Sequence, residues 1–433
     1  MDRLPLSRIR VLDLTLIWAG PYAVMQLADL GAEIIRVESC QHHITNTRGF
    51  VPVPTKDMVE SLGYLAGMYV DMDPGPRPWN RFGMFNALGR NKLSMTVDMN
   101  RPDGRAIVHE LVKVCDVFIE NNSLGLMRRF GLDYETVRAI NPTMVYVTMP
   151  LQGLYGPYAD YIGFGPNGEA MSGILSLRGY EGDDPSTAGQ GNHMDAVSGI
   201  AAAYATVMAL YQRDRTGRGQ FVEVSQVEHL VNQIGGPLMD AAMNGRVQTP
   251  TGNRDPVRAP QGTYRCRGED RWVAISVGTD EEWAGLCRAI GKPALAQAPS
   301  YAGNLARRRR HDEIDALITE WSSTQDAREA MALLQRHGVP AGMVADDRDA
   351  HEDPQLAQRG FFHEMRQADC GVHRYPGHSY QLSETPLRFD SPPPLLGQHN
   401  DYVYRELLGR SDAEIQRLTV LGHIGDGYVP GVK

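Results

Sequence analysis

The stretch Ile9-Arg-Val-Leu-Asp-Leu14, followed by a loop from Thr15 to Gly20, Pro21, an apolar-periodic run to Gly31 and then Ala32-Glu-Ile-Ile-Arg-Val-Glu38, decides the fold. Residues 9–14 are a short apolar run of strand length, and Pro21 stands at a first helical position, where a missing N–H costs nothing. Met25, Leu27 and Leu30 carry the helix to Gly31, a natural stop, and residues 32–38 are a second strand. The result is a β-α-β unit.

Outward from this unit the pattern recurs. Leu93 to Val97 reads as a strand, Gly104 to Val114 as a helix, Asp116 to Glu120 as a strand, Tyr134 to Ile140 as a helix and Met144 to Thr148 as a strand. Strands alternating with helices predict an α/β fold with a mostly parallel sheet covered on both faces, and such sheets take ligands beyond the carboxyl ends of their strands. Further on, Asp195-Ala-Val-Ser-Gly199 opens an apolar run to Tyr211, followed by Arg215-Thr-Gly-Arg-Gly-Gln220 and the strand-like Phe221-Val-Glu-Val-Ser225. This order predicts a carboxylate at the N-cap of a buried helix, then a turn and a strand. Aspartate is a common cap, and the free N–H groups and dipole of a helix start also keep a carboxylate ionised. Local pattern alone does not separate a cap from a reactive group.

After about Asn244 the composition shifts: residues 244–262 are rich in Pro, Gly, Asn and Arg and predict an exposed connection. Tyr264 to Val277 then reads as two strands about Gly268-Glu-Asp270, with helices over 281–290 and 307–337, which predicts a second, smaller domain. Tyr375-Pro-Gly-His378 and Pro392 to Pro394 read as turns, and residues 412–419 as a final amphipathic helix.

The chain has 433 residues, 42% hydrophobic and 22% charged, the composition of a soluble globular protein. Its net charge of −9 argues against nucleic acid or an anionic membrane as a partner. The apolar run 198–211 is too short to span a bilayer, and Asp13 and Asp29 interrupt the N-terminal stretch, so neither a membrane span nor a targeting signal is expected. Five scattered cysteines (Cys40, Cys115, Cys266, Cys287, Cys370) predict reduced thiols and a cytoplasmic protein.

Known catalytic patterns are sparse. The loop 15–20 lacks the glycines of a dinucleotide fingerprint, which leaves Glu38 a weak ribose-binding acid. No HExxH, GxSxG or P-loop pattern occurs. Arg307 to Arg310 reads as a solvated helix face, and His42-His43 as a surface loop without the partners a metal needs, so no metal site is expected.

Taken together, short motifs along almost the whole chain resemble class III coenzyme A transferases, the family of formyl-CoA, carnitine-CoA and bile-acid-CoA transferases. They are Arg10-Val-Leu-Asp-Leu-Thr15 with Ala19-Gly-Pro21, Leu27 to Glu33, Val37-Glu38, Gly89-Arg-Asn-Lys92, Asp116 to Asn121, Gly131 to Glu135, Asn141-Pro142, Ala170-Met-Ser-Gly173, Asp195, Thr216 to Gln220, Asp353-Pro354 with Gly360, and Pro394 to His399. The resemblance implies a Rossmann-like large domain built from both chain ends (residues 1–215 and 341–433, the latter including a linker), a linker at 216–251 and a small α+β domain at 252–340. It also implies an interlocked homodimer.

Function follows from the same resemblance. It makes Asp195 the nucleophile that attacks an acyl-CoA thioester and moves CoA to a free carboxylic acid, through an aspartyl anhydride and an aspartyl-CoA thioester. No cofactor is permanently bound; CoA and acyl-CoA are substrates. Ile17, Trp18 and Ala19, Val97 to Asn100, and Asn121, Asn122 and Ser123 correspond to CoA-contact segments, and Arg129 to a basic residue for the nucleotide phosphates. The chain departs from the family at Asn122-Ser-Leu124, at Ser39 and Asn100, where basic residues are usual, and at Arg258-Ala-Pro-Gln-Gly262, which replaces a glycine-rich loop. Phe50, Tyr158, Tyr161 and Phe164 are substrate-pocket residues suited to a bulky or apolar acid. Two alternatives stand beside transfer: an α-methylacyl-CoA racemase, and a CoA-binding homologue without activity. The racemase uses a histidine where this chain has Phe164, which cannot exchange a proton.

Overall fold

The computed structural model describes residues 4–187, 189, 191, 193–387 and 389–432. They form two compact units, one from Met1–Ile174, Gln190–Leu238 and Gly360–Lys433, the other from Leu175–Gly189 and Met239–Arg359.

In the first unit six strands, β1 (Arg10–Leu14), β2 (Glu33–Glu38), β3 (Lys92–Thr96), β4 (Val117–Glu120), β5 (Val145–Thr148) and β6 (Phe221–Glu223), make a parallel sheet in the order 3-2-1-4-5-6. This is the Rossmann order, and the direction of winding reverses between β1 and β4. Neighbouring residues on one strand serve opposite cores. Leu12, Ile35 and Phe118 face Ile107, Leu111 and Val137, whereas Val11, Ile34 and Val117 face Ala23, Leu27 and Ala202. Burial on both faces explains why the strands read as continuous apolar runs.

The helix Ala19–Asp29 packs directly on the long helix His193–Thr216. Gly199 permits that approach: a Cβ there would lie 2.7 Å from the Ala19 carbonyl oxygen and 3.2 Å from the Ala23 nitrogen. At 24 residues the long helix outruns the apolar run read from sequence, and it is the one helix among the described residues long and apolar enough to cross a membrane. One of its faces, including Ala202, Ala203, Ala209 and Leu210, is buried in the core of the first unit.

Several local expectations need correction. Residues 216–251, expected as a linker, carry β6 and the helices Gln226–Gln233 and Gly235–Asn244, because Val227 and Leu230 bury against Leu151 and Met194. Tyr375 and Pro376 are not a turn but the end of a hairpin, β10 (Phe362–Gln367) with β11 (Gly371–Pro376), whose tip anchors Asn80 through Asp369 at 2.8 Å.

The second unit has its own core. A three-stranded antiparallel sheet, β7 (Gln261–Arg265), β8 (Trp272–Ser276) and β9 (Ala341–Met343), packs helices through Trp283, Leu286, Ile314, Ile318 and Leu334. The helix expected over 307–337 is three helices, Gly303–Arg309, His311–Ser322 and Ala327–Arg336; Asp326 caps the last by accepting from the N–H groups of Arg328 and Glu329. Arg307 is no solvated residue: it is buried, donates to Asp280 at 2.6 Å and to the Ala259 carbonyl at 2.9 Å, and lies over the Trp283 ring.

Candidate active site

The loop between β1 and the helix Ala19–Asp29 lies at the reversal point of the sheet, and its conformation is imposed from several sides. Ile17 has φ 66°, the left-handed region that a β-branched residue avoids. Asn121, just past β4, holds the loop like a second backbone: its Oδ1 accepts from the Leu16 N–H at 2.6 Å and its Nδ2 donates to the Leu16 carbonyl at 3.0 Å. Thr47 accepts from the Ile17 N–H at 3.2 Å, and the buried ammonium of Lys92 donates to the Pro21 carbonyl at 2.8 Å.

This strained loop delivers the Ala19 N–H to the carboxylate of Asp195. The helix bearing Asp195 begins at His193, so Asp195 stands in its first turn and is not its N-cap. Burial pushes its pKa above the usual 3.8; the N–H groups of Ala19 and of Asp195 itself oppose that rise, and the nearby Glu169 carboxylate adds to it. Glu169 is 2% exposed, on the helix Gly165–Met171, and accepts from the His193 N–H at 2.7 Å. The same helix brings Gly165 so close that a Cβ there would lie 2.7 Å from Asp195 Oδ2. Glu169 escaped the sequence reading; the one signal was a carboxylate beside the otherwise small and apolar Ala170-Met-Ser-Gly173.

Beyond the carboxyl ends of β1 to β4 opens a cavity of about 300 Å³, walled by Leu14 and Leu16, Glu38 and Ser39, Val97 and Asn100, Asn122, Arg129 and Tyr428, among others. Leu16 thus faces the cavity, while Ala19, three residues on, faces Asp195. Under the cavity lies a buried ionic cluster. Arg48 donates to both oxygens of Glu38 at 2.7 Å, Ser94 donates to one of them at 2.6 Å, and Arg36 reaches Glu38 and Asp13 at 3.3 Å each. Burial works against the Glu38 charge, but Arg48 and Arg36 outweigh it and hold the group down at about 2. Its carboxylate is therefore occupied within the protein, which removes it as a ribose acceptor.

Of the residues expected at a CoA site, Val97, Asn100, Asn122 and Arg129 share the cavity wall. Ile17 and Trp18 lie in the adjoining loop, Ala19 opens the helix after it and Asn121 holds it from the end of β4, while Ser123 is exposed in a separate open depression with Asn122 and Arg128. Phe50 packs edge-on against Tyr69 and Phe82 in an aromatic cluster of its own. The rings of Tyr158 and Tyr161 lie tilted at 4.9 Å, and Tyr161 and Phe164 are more than half exposed; Phe164 immediately precedes Gly165, the residue that approaches Asp195. His42 and His43 are not a bare surface pair: both wall the cavity. Among the described residues no three His, Cys, Asp or Glu side chains are grouped to hold a metal.

A partly desolvated carboxylate in the first turn of a helix, linked by the 15–18 loop to a cavity at the reversal point of a Rossmann-ordered sheet, fits covalent acyl chemistry on a nucleotide-bearing substrate. The family model described as CoA-transferase family III matches residues 6–400. The chain belongs to CoA-transferase family III. It is 31% identical over 414 residues to the succinyl-CoA–D-citramalate CoA-transferase of Chloroflexus aurantiacus, covering 96% of each chain. It is 30% identical to the succinyl-CoA:glutarate CoA-transferase of Homo sapiens, over 96% of this chain and 89% of that one. The crystal structure of a CAIB/BAIF family protein from Brucella suis superimposes with a TM-score of 0.81 at 30% identity, covering 94% of this chain and all of that one. As a family III CoA-transferase the protein is an enzyme acting on CoA thioesters, and its parallel sheet is the architecture of such structures.

Proposed function

We propose that this CoA-transferase works by nucleophilic catalysis at Asp195. A carboxylate oxygen of Asp195 attacks the thioester carbonyl of an acyl-CoA; the C–S bond breaks, and CoA thiolate leaves behind a mixed anhydride. The thiolate then attacks the Asp195 carbonyl carbon, releasing the donor acid as its carboxylate and leaving an aspartyl-CoA thioester. An acceptor carboxylate attacks that same carbon and expels the thiolate, which attacks the acceptor's acyl carbon in the new anhydride and frees Asp195. No proton is gained or lost over the cycle, so no separate base is needed.

The observation that carries this reading is the setting of Asp195, half-buried and partly desolvated yet facing the Ala19 N–H, three residues beyond Leu16 in the cavity wall. Desolvation makes the carboxylate a stronger nucleophile, and the N–H groups keep it ionised. CoA lies in the cavity against Val97, Asn100, Asn122 and Arg129, with the 15–18 loop directing its thioester toward Asp195. Phe164 supplies an apolar surface there and no second acid or base, which favours transfer over racemisation.

The enzyme acts as a homodimer. On the helix His193–Thr216 the side chains of Ile200, Tyr204, Met208 and Tyr211 form an outward stripe, each 46–67% exposed, an apolar face that a second copy would cover. Five free, buried cysteines fit a reducing compartment, the cytoplasm. Intact-mass measurement after incubation with an acyl-CoA tests the chemistry: a CoA adduct is expected on the wild type and none on Asp195→Ala. α-Proton exchange without any adduct would establish racemisation instead.

A further inference from the structure

Each cationic side chain on the cavity wall has a different degree of prior commitment. Arg48 is spent on both oxygens of Glu38, and Arg36 on Glu38 and Asp13, so neither has charge to offer an incoming anion. Ser39 and Asn100 on the same wall are neutral. Arg129 stands on the same wall with its guanidinium over the Phe130 ring, 5.3 Å from the ring centre. That leaves the two histidines of the segment after β2. His42 stands half-exposed, its Nε2 3.6 Å from Asp98 Oδ1 and in contact with the Asn100 amide. His43 packs edge-on against Tyr428 at 5.4 Å, and its Nε2 is buried with no hydrogen-bond partner. An unsatisfied buried nitrogen costs stability and calls for a ligand or a function.

We propose that His42 and His43, with Arg129, recognise a phosphate of the nucleotide end of CoA, and that protonation of His43 strengthens CoA binding as the pH falls. The inference rests on the reading that this cavity takes CoA. A charged imidazole donates from both nitrogens, and a phosphate dianion offers three strong acceptors, so the pair suits a phosphate better than a ribose or an adenine edge. Facing the pair are Asp98, Glu38, Arg36, Arg48, Arg129 and Tyr428. Glu38 is held ionised at about 2, and burial keeps the Tyr428 phenol neutral, which leaves His43, lowered by burial below the ordinary histidine value, to carry the pH dependence.

The sign follows from linkage. Burial lowers the His43 pKa in the protein alone, and a bound phosphate raises it. The imidazolium contribution to binding is then complete below the lower value and fades as the pH rises through the higher one.

Calorimetric titration of CoA and of dephospho-CoA into the wild type and the double variant His42→Gln, His43→Gln, at about pH 5.5 and about pH 8, tests this. At the lower pH the variant is expected to bind CoA about tenfold more weakly than the wild type, and at the higher pH within about twofold. Comparing the two proteins cancels the ligand's own titration. A loss confined to CoA places the histidines on the 3′-phosphate, and an equal loss with dephospho-CoA places them on the pyrophosphate; either supports the inference. Equal affinities of variant and wild type at both pH values would overturn it, as would a loss of the same size at both, the mark of a merely structural role. A wild type that binds no CoA would instead overturn the reading of the cavity.

Discussion

In the proposed mechanism Asp195 must be ionised to attack, yet burial and the neighbouring Glu169 both favour its protonated form. Activity therefore falls as the pH drops through a midpoint above the ordinary 3.8, since a protonated carboxyl is no nucleophile. Replacing Glu169 by Gln keeps an acceptor for the His193 N–H but deletes a negative charge, so the acid limb of the kcat/KM profile is expected to move to lower pH. An unmoved limb would show that Glu169 has no electrostatic hold on the nucleophile. Gly165 offers a steric test at the same spot. Its backbone is accessible to alanine, but the added methyl would stand 2.7 Å from Asp195 Oδ2 and turn the carboxylate aside. Gly165→Ala should fold with a normal melting temperature and form the CoA adduct ~100-fold more slowly, the scale of a misplacement near 1 Å. Single-turnover mass spectrometry reads that rate.

Two helices and one loop set the reactive geometry, and their packing is exacting. Gly199 lets the helix His193–Thr216 lie against the first turn of Ala19–Asp29, where a methyl would meet the Ala19 carbonyl oxygen at 2.7 Å. Gly199→Ala must push the helices apart, with an expected cost of about 1–3 kcal/mol measured by denaturant unfolding. The same displacement draws the Ala19 N–H from Asp195, so adduct formation should fall along with stability. A variant that loses stability but keeps its adduct rate would show that the two helices do not set the nucleophile. The left-handed Ile17 makes the same point about the loop. A strained β-branched residue persists only where Asn121, Thr47 and Lys92 over-determine it and its neighbours, and those partners lie 30 to 105 positions from the residues they hold.

For the whole molecule, the apolar stripe of Ile200, Tyr204, Met208 and Tyr211 predicts that the isolated chain does not stay single. Light scattering after size exclusion should report a dimer for the wild type and a smaller species for Tyr204→Glu with Met208→Glu, two outward positions whose change leaves the monomer core untouched. A monomeric wild type at micromolar concentration would sink the dimer.

Much of this architecture was legible in order of residues. The alternation of apolar runs with 3.6-period segments specified each strand of the parallel sheet to within about two positions, because a strand buried on both faces has to be apolar throughout. Short motifs, none specific alone, pointed jointly to the family whose model matches residues 6–400. What stayed hidden depends on partners distant in sequence. Glu38 looked available for a ligand until Arg48 and Arg36 closed on it, Arg307 looked solvated until Asp280 and Trp283 buried it, and His43 looked superficial until Tyr428 covered one side. Local pattern reports how a segment meets solvent on average. The charge state and reach of a side chain depend on which other groups the fold brings within a few ångströms. By itself, then, the sequence determined the parallel sheet and the place of Asp195 at a helix start. Only the tertiary structure decided that Asp195 is desolvated beside Glu169 and Ala19, and which cations of the cavity remain unspent, because burial and Coulomb interaction depend on distance in space and not along the chain.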